Sequence, residues 1–153
     1  MPDSPRPGKV GCLSKYIQEN NIIVTQGFIG SNEVGDTTTL GREGSDYSAA
    51  LFAEALGSEE IQIWSDIPGV ASGDPRKLSK TKIIPELSYE EATALTLGGS
   101  KVLFPRTMEA ARRNGIPIIV SSSLNPELGG TIIRPGVTKH VGPRAISIKE
   151  ELD

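Results

Sequence analysis

The chain has 153 residues, 37% hydrophobic and 23% charged, with a net charge of -3. That length fits one domain, or one lobe of a larger one, and the mild negative charge and 5% aromatic content argue against a nucleic-acid surface, which needs a basic stripe or stacking rings. One cysteine, Cys12, excludes an internal disulfide, and one histidine, His140, without neighbouring ligands excludes a zinc site.

The opening "MPDSPRPGKVG" has no apolar core of a signal peptide, and residues 1–12 read as a flexible segment. No run of roughly 18 apolar residues is present, so a cytoplasmic location is expected. "CLSKYIQENN" suggests a short helix with Leu13, Tyr16 and Ile17 on one face. "IIVTQGFIG", β-branched and ended by Gly27 and Gly30, predicts a buried strand, and residues 31–44 a long polar loop. "SDYSAALFAEALG" predicts a helix with Ser45 as N-cap, Asp46 in the first turn and Gly57 as its stop.

A second strand, "IQIWSD", leads into the turn-rich "IPGVASGDPR", and "TKIIPEL" reads as a short strand. "SYEEATALTLGG" carries a capping signature, Ser88 with Glu91 three residues on. "PRTMEAARRNG" predicts a helix opened by Pro105 and stopped by Gly115. "IPIIVSSS" predicts a third buried strand, "GGTIIRP" a last short one, and residues 134–153 an exposed linker. This alternation specifies an α/β fold, a layered αβα sandwich with a mostly parallel central sheet over residues 13–133.

In such sheets ligands sit beyond the carboxyl ends of the strands, and the unusual polar loops fall there. In "TTTLGREGSD", Gly41 and Gly44 allow close backbone approach, Arg42 offers a planar fork for a carboxylate or phosphate, and the helix start favours an anion. The same residues also make an ordinary capped helix with a solvated Arg–Asp pair. "WSDIPGVASGDPRK" sets Ser65 and Asp66 at a strand end and Arg76 across a bend, a composition equally common in solvated turns. Lys101, after "LGG", is either a point charge for a phosphate or plain surface charge. No Walker A loop, G-x-G-x-x-G or covalent-nucleophile arrangement occurs.

Together, "VTQGFIG", "TTTLGREGSDYSAA", "IWSDIPGVASGDPR", "GGSKVLFP" and "IPIIVSSSLNPELGGT" resemble, in order and spacing, the aspartate kinases of the amino-acid kinase fold. The resemblance runs from Ile22 to Ile133, and the stretch from Thr37 to Ala50 is its most specific part; glutamate, acetylglutamate, carbamate and uridylate kinases share the pattern but not this wording. It implies the ATP-side, C-terminal lobe of that fold, with ATP and Mg2+ used to phosphorylate the side-chain carboxylate of L-aspartate, the first step toward lysine, threonine and methionine. By the resemblance, Phe28, Arg42 and Ser45 contact the substrate, Asp46 lies at the reacting centre, and Ser65, Asp66, Arg76 and Lys101 hold the nucleotide.

The match has departures. Glu43 stands where the family often has glycine and is expected to face solvent; Ser65 replaces a frequent threonine, Ala71 a tyrosine and Phe104 a histidine. No "KFGG"-like strand, whose lysine serves phosphate transfer in the family, occurs here, and the family's regulatory domains would follow "RAISIKEEL". The expectation is therefore an incomplete part of an aspartate kinase, inactive alone and needing a missing N-terminal lobe or a homodimer partner. The alternative is a non-catalytic ATP- or ADP-binding module that serves a partner chain.

Overall fold

The computed structural model describes residues 13, 15–17, 21–100, 103–136 and 142–147. The expectations placed on residues 1–12, on Cys12, Lys101 and His140, and on most of 134–153 lie outside the described residues. Residues 13 and 15–17 are helical, with Tyr16 and Ile17 exposed.

Strands β1 (Ile29–Ser31) and β2 (Thr37–Thr39) form an antiparallel hairpin. Its turn is closed by Asn32, whose side chain donates to Asp36 Oδ2 at 3.0 Å and accepts the Asp36 N–H at 2.8 Å. The expected loop 31–44 thus contains a strand, because three successive β-branched threonines find a ladder partner in Ile29–Ser31. The strand expected over "IIVTQGFIG" is confined to its end. Residues 22–27 lack a ladder partner, and Ile22 and Val24 stand 93% and 91% exposed rather than buried.

The main sheet holds β3 (Ile61–Ser65), β5 (Ile118–Ser122), β6 (Thr131–Arg134) and β4 (Glu86–Ser88), in that order. β3 with β5 and β4 with β6 are parallel; β5 with β6 is antiparallel. The register aligns Ile61, Ile118, Ile133 and Leu87 in one row across all four strands, each almost fully buried. Each contributes about 1.5–3 kcal/mol by leaving water. The expected strand at "TKIIPEL" is shortened: only Glu86–Ser88 joins the sheet, and Ile83 makes an isolated bridge to Ala71.

Helices α1 (Gly44–Leu56), α2 (Tyr89–Leu97) and α3 (Pro105–Arg113) add Tyr47, Ala50, Ala53, Tyr89, Ala92, Met108, Ala110 and Ala111 to the core. Small alanines let α1 and α3 pack closely, and Arg113 clamps Glu54 across them with two bonds of 2.8 and 2.7 Å. That fork holds the Glu54 carboxyl below its ordinary value, although an exposed pair of this kind adds at most about 1 kcal/mol. The capping box of α2 forms as expected: Ser88 Oγ accepts the Glu91 N–H at 3.1 Å and Glu91 accepts the Ser88 N–H at 2.8 Å. Tyr89 donates to the Ile116 carbonyl, and burial pushes its phenol up to about 12. The opposite alternates of the sheet, Gln62, Trp64 and Ile132, stay exposed on the side that a second helical layer of an αβα sandwich would cover.

Between β3 and β4 the chain makes a hairpin-like excursion, residues 70–84. The Ile84 N–H donates to the Val70 carbonyl at 2.8 Å and the Ser72 N–H to the Lys82 carbonyl at 2.8 Å. Its base is closed by the buried Thr131, whose hydroxyl accepts the Val70 N–H and donates to the Ile84 carbonyl, both at 2.7 Å. In place of a wholly exposed linker, residues 142–147 return to the body: Arg144 bonds Glu91, and the Ile146 N–H donates to the Ser72 carbonyl at 2.9 Å. No helix among the described residues is long and apolar enough to cross a membrane.

Candidate functional site

The start of α1 is built by close approach. A side chain at Gly44 would bring a Cβ within 2.9 Å of Leu40 Cβ and 3.1 Å of Phe28 Cδ2, so only glycine fits. On either side of this contact two non-glycine residues adopt left-handed backbone, Phe28 at φ 72° and Glu43 at φ 57°. Such conformations cost of order 1–3 kcal/mol and persist where the surroundings enforce them. The enforcer here is Ser48, buried one turn into α1: it accepts the Phe28 N–H at 2.9 Å and donates to the Gly44 carbonyl at 2.9 Å.

The helix begins two residues earlier than expected, with Glu43 rather than Ser45 in the N-cap position and no side-chain cap. Ser45 is therefore inside the first turn, where its hydroxyl donates to Asp46 Oδ1 at 3.4 Å. The left-handed turn at Glu43 takes over the reversal that a serine cap would have made. Uncapped N–H groups at this helix start retain their positive end of the helix dipole.

Strands β3 and β5 run parallel, so their carboxyl ends reach the same edge of the sheet. The Ser65 carbonyl is fixed there by Ser123, which donates its N–H at 2.7 Å and its hydroxyl at 2.9 Å. The Ser65 hydroxyl donates to Asp66 Oδ1 at 3.0 Å. Between this edge and the start of α1 lies a cavity of about 360 Å³, lined by Glu43, Asp46, Ile63, Ser65, Asp66, Ile67, Leu103 and Val120.

The cavity joins Asp46 from the expected substrate loop to Ser65 and Asp66 from the expected nucleotide loop. It also takes in Glu43, which is exposed to solvent as expected and lines the rim from its left-handed position. Burial raises the Asp46 carboxyl above its ordinary value, the Glu43 charge adds to the rise, and the bond from Ser45 opposes it. The charged residues lining the cavity are all carboxylates, so an anionic ligand must arrive with a cation or meet one from outside the lining. Among the described residues no three Asp, Glu, His or Cys side chains converge to cage a metal ion. The carboxylates of Asp46 and Asp66 suit a hard cation shared with a phosphate-bearing ligand.

The remaining predicted residues are not in the lining. Phe28 is exposed and packs against Gly44, and Arg42 is exposed on the turn after Gly41, whose φ of 83° gives that turn its freedom. Arg76 is engaged at the tip of the 70–84 excursion, where its guanidinium forks onto Asp74 at 3.1 and 2.8 Å. That fork, with the Arg76 N–H, holds the Asp74 carboxyl down to about 2. Sequence reasoning passed over Ser48, which nothing local marked; Gly44 was expected to allow close approach to a ligand, and the close approach it allows here is to Leu40 and Phe28.

A family model described as "Amino acid kinase family" matches residues 6–122. The chain belongs to the amino acid kinase family. It is 50% identical over 112 residues to lysine-sensitive aspartokinase 3 of Escherichia coli, covering 73% of this chain and 25% of that protein. With the aspartokinase of Chlamydia pneumoniae it shares 49% identity over 108 residues, 71% of this chain and 24% of the relative. In structure it superposes on E. coli aspartokinase III solved in complex with aspartate and ADP, with a TM-score of 0.78 and 42% identity over 88% of this chain and 31% of that one. The chain thus spans about a quarter of the length of the relatives it matches.

Proposed function

We propose that this chain forms the nucleotide-side part of a cytoplasmic aspartate kinase, which transfers the terminal phosphoryl group of ATP to the side-chain carboxylate of L-aspartate, giving 4-phospho-L-aspartate and ADP. In the pathways that make lysine, threonine and methionine this is the entry step. The observation that carries the reading is the cavity that sets Asp46 against Ser65 and Asp66 in a chain half identical to an aspartokinase.

The chemistry asks little of a base, because a carboxylate acceptor is already ionised at neutral pH. It asks for two anions to be held together while charge is neutralised. Arg42, on its glycine-flanked turn, binds the acceptor's other carboxylate, and Phe28 and Ser45 border the acceptor. Asp46 stands at the transfer centre in a partly desolvated position, and Ser65 and Asp66 hold the nucleotide edge. Arg76 reaches the phosphates by exchanging its Asp74 partner for them, and Lys101 adds a second positive charge. Mg2+ carried with the nucleotide would supply the remaining charge neutralisation, and Asp46 and Asp66 are the residues that would hold it.

The test is steady-state kinetics on the full-length gene product, with acyl phosphate trapped as hydroxamate. Arg42→Ala should raise the KM for L-aspartate at least about tenfold and leave the KM for ATP near its original value. Equal losses for both substrates would remove Arg42 from the acceptor site. Absence of any aspartate-dependent product in the unaltered protein would remove the activity itself.

A further inference from the structure

Residues 142–147 are seated more firmly than a linker requires. The Arg144 side chain is only 15% exposed. Its Nη1 donates to Glu91 Oε1 at 3.1 Å and Oε2 at 3.3 Å, and its Nη2 donates to the Glu86 carbonyl at 2.5 Å. Both partners belong to the β4–α2 junction, where Glu91 also closes the capping box. Ala145 packs against the hydrophobic core, and Ser147 lies so close over Gly98 that a side chain there would collide with it.

One residue past that Ala145 contact, the Ile146 N–H donates to the Ser72 carbonyl at 2.9 Å, and the Ile146 carbonyl lies 3.6 Å from where a Cβ on Gly73 would sit. Ser72 lies on the ascending arm of the 70–84 excursion and is itself paired to Lys82 by its N–H and its hydroxyl. This excursion starts three residues after Ile67 on the cavity wall and carries Arg76 at its tip. Thr131 clasps its base, and a clasp at one point still permits pivoting about that point. The Ile146 bond, 12 residues of sequence beyond Arg134 but adjacent in space, is a second attachment on the flank. Two attachments fix the direction of an arm that one would leave free to swing.

We propose that Arg144 is a positioning residue for nucleotide binding: by anchoring residues 144–146 to the β4–α2 junction it fixes the direction of the 70–84 excursion, and with it the place from which Arg76 at its tip reaches the nucleotide. This rests on the kinase reading above. Displacement of a binding group by about an ångström is enough to cost one to two orders of magnitude in its use. Arg144 itself touches neither substrate nor cavity, so its effect must pass through the strap.

The experiment uses the full-length protein, with ADP binding by calorimetry, the KM values for ATP and L-aspartate, and amide exchange at Ile146, the donor of the bond to Ser72. Arg144→Ala should weaken ADP and ATP about tenfold, leave the L-aspartate KM within about twofold, and speed exchange at Ile146. Arg144→Lys, which keeps the charge and loses the fork, should recover part of the nucleotide affinity. Ile146→Pro removes the donor to Ser72 while leaving the Arg144 side chain in place, and should shift nucleotide affinity in the same direction by a smaller factor, which covers the case of a poorly folding Arg144→Ala. Faster exchange with unchanged nucleotide affinity would reduce the strap to a structural prop and overturn the proposal, as would equal weakening of both substrates. Failure of the unaltered protein to bind ADP at all would sink the kinase reading first, and this inference with it.

Discussion

The four-stranded layer and the strip of chain from 21 to 43 are made from similar residues and have opposite fates. In the layer, Ile61, Ile118, Ile133 and Leu87 meet across adjacent strands and are buried. In the strip, Ile22, Val24 and Val34 are equally apolar and stand in solvent, and the hairpin touches the body chiefly through Phe28, Leu40 and the start of α1. Hydrophobicity alone did not decide between them. What differs is whether each backbone has a ladder neighbour that presents a matching face.

The largest effect should come from making one change in both places. Ile118→Ala leaves a cavity at the centre of the aliphatic row and should cost about 2–5 kcal/mol in urea unfolding. Ile22→Ala removes side-chain atoms that are already in water and should stay within about 0.5 kcal/mol. Comparable losses would mean that the strip is packed in solution against something the described residues do not show.

A second change tests the seam between the two regions. Gly44→Ala would ordinarily stabilise a helix by about 0.5–1 kcal/mol. Here the new Cβ meets Leu40 Cβ at 2.9 Å and the ring of Phe28 at 3.1 Å, neither of which is the loose end of a flexible chain. Overpacking of that kind costs about 1–3 kcal/mol, so the clash should win and the melting temperature should fall. A rise would show that the hairpin slides over α1 without cost.

The same contrast explains what was legible in the sequence. Signals that work within a few residues were readable: the Ser88–Glu91 capping box, Pro105 at the start of α3, Gly57 after α1, and the β-branched runs of β3 and β5. Features that need a distant partner were not. Residues 22–27 have strand propensity without a neighbour, and the threonines of β2 looked like loop until Ile29–Ser31 lay beside them. At the site, Ser65 and Asp66 were placed by the end of a strand, a local fact, and Asp46 by the start of a helix. Their meeting in one cavity and the pairing of Arg144 with Glu91 are long-range, and Arg76 was captured instead by its near neighbour Asp74.

The smallest expected change in stability falls at the junction itself, on Asp46. Burial and the Glu43 charge raise its carboxyl above the ordinary value of 3.8, so the folded state holds the proton more tightly than the unfolded state does. Stability contributed by this group is therefore greatest below 3.8 and declines as pH rises through the raised value, leaving the ionised carboxylate a net cost at neutral pH. Asp46→Asn removes that cost. Because the side chain is only half-buried and solvent screens it, the gain should be about 0.5–1 kcal/mol near pH 7 and should vanish toward pH 3. In the full-length protein the same substitution should slow phosphoryl transfer by about 100-fold or more, since it withdraws the carboxylate that would hold a cation at the transfer centre. A stabilised and inactive variant is the signature of a carboxylate retained for chemistry at the expense of folding. If Asp46→Asn instead lost stability at pH 7 and kept its turnover, the carboxylate would be a helix-start stabiliser, and the transfer centre would have to be sought elsewhere in the cavity.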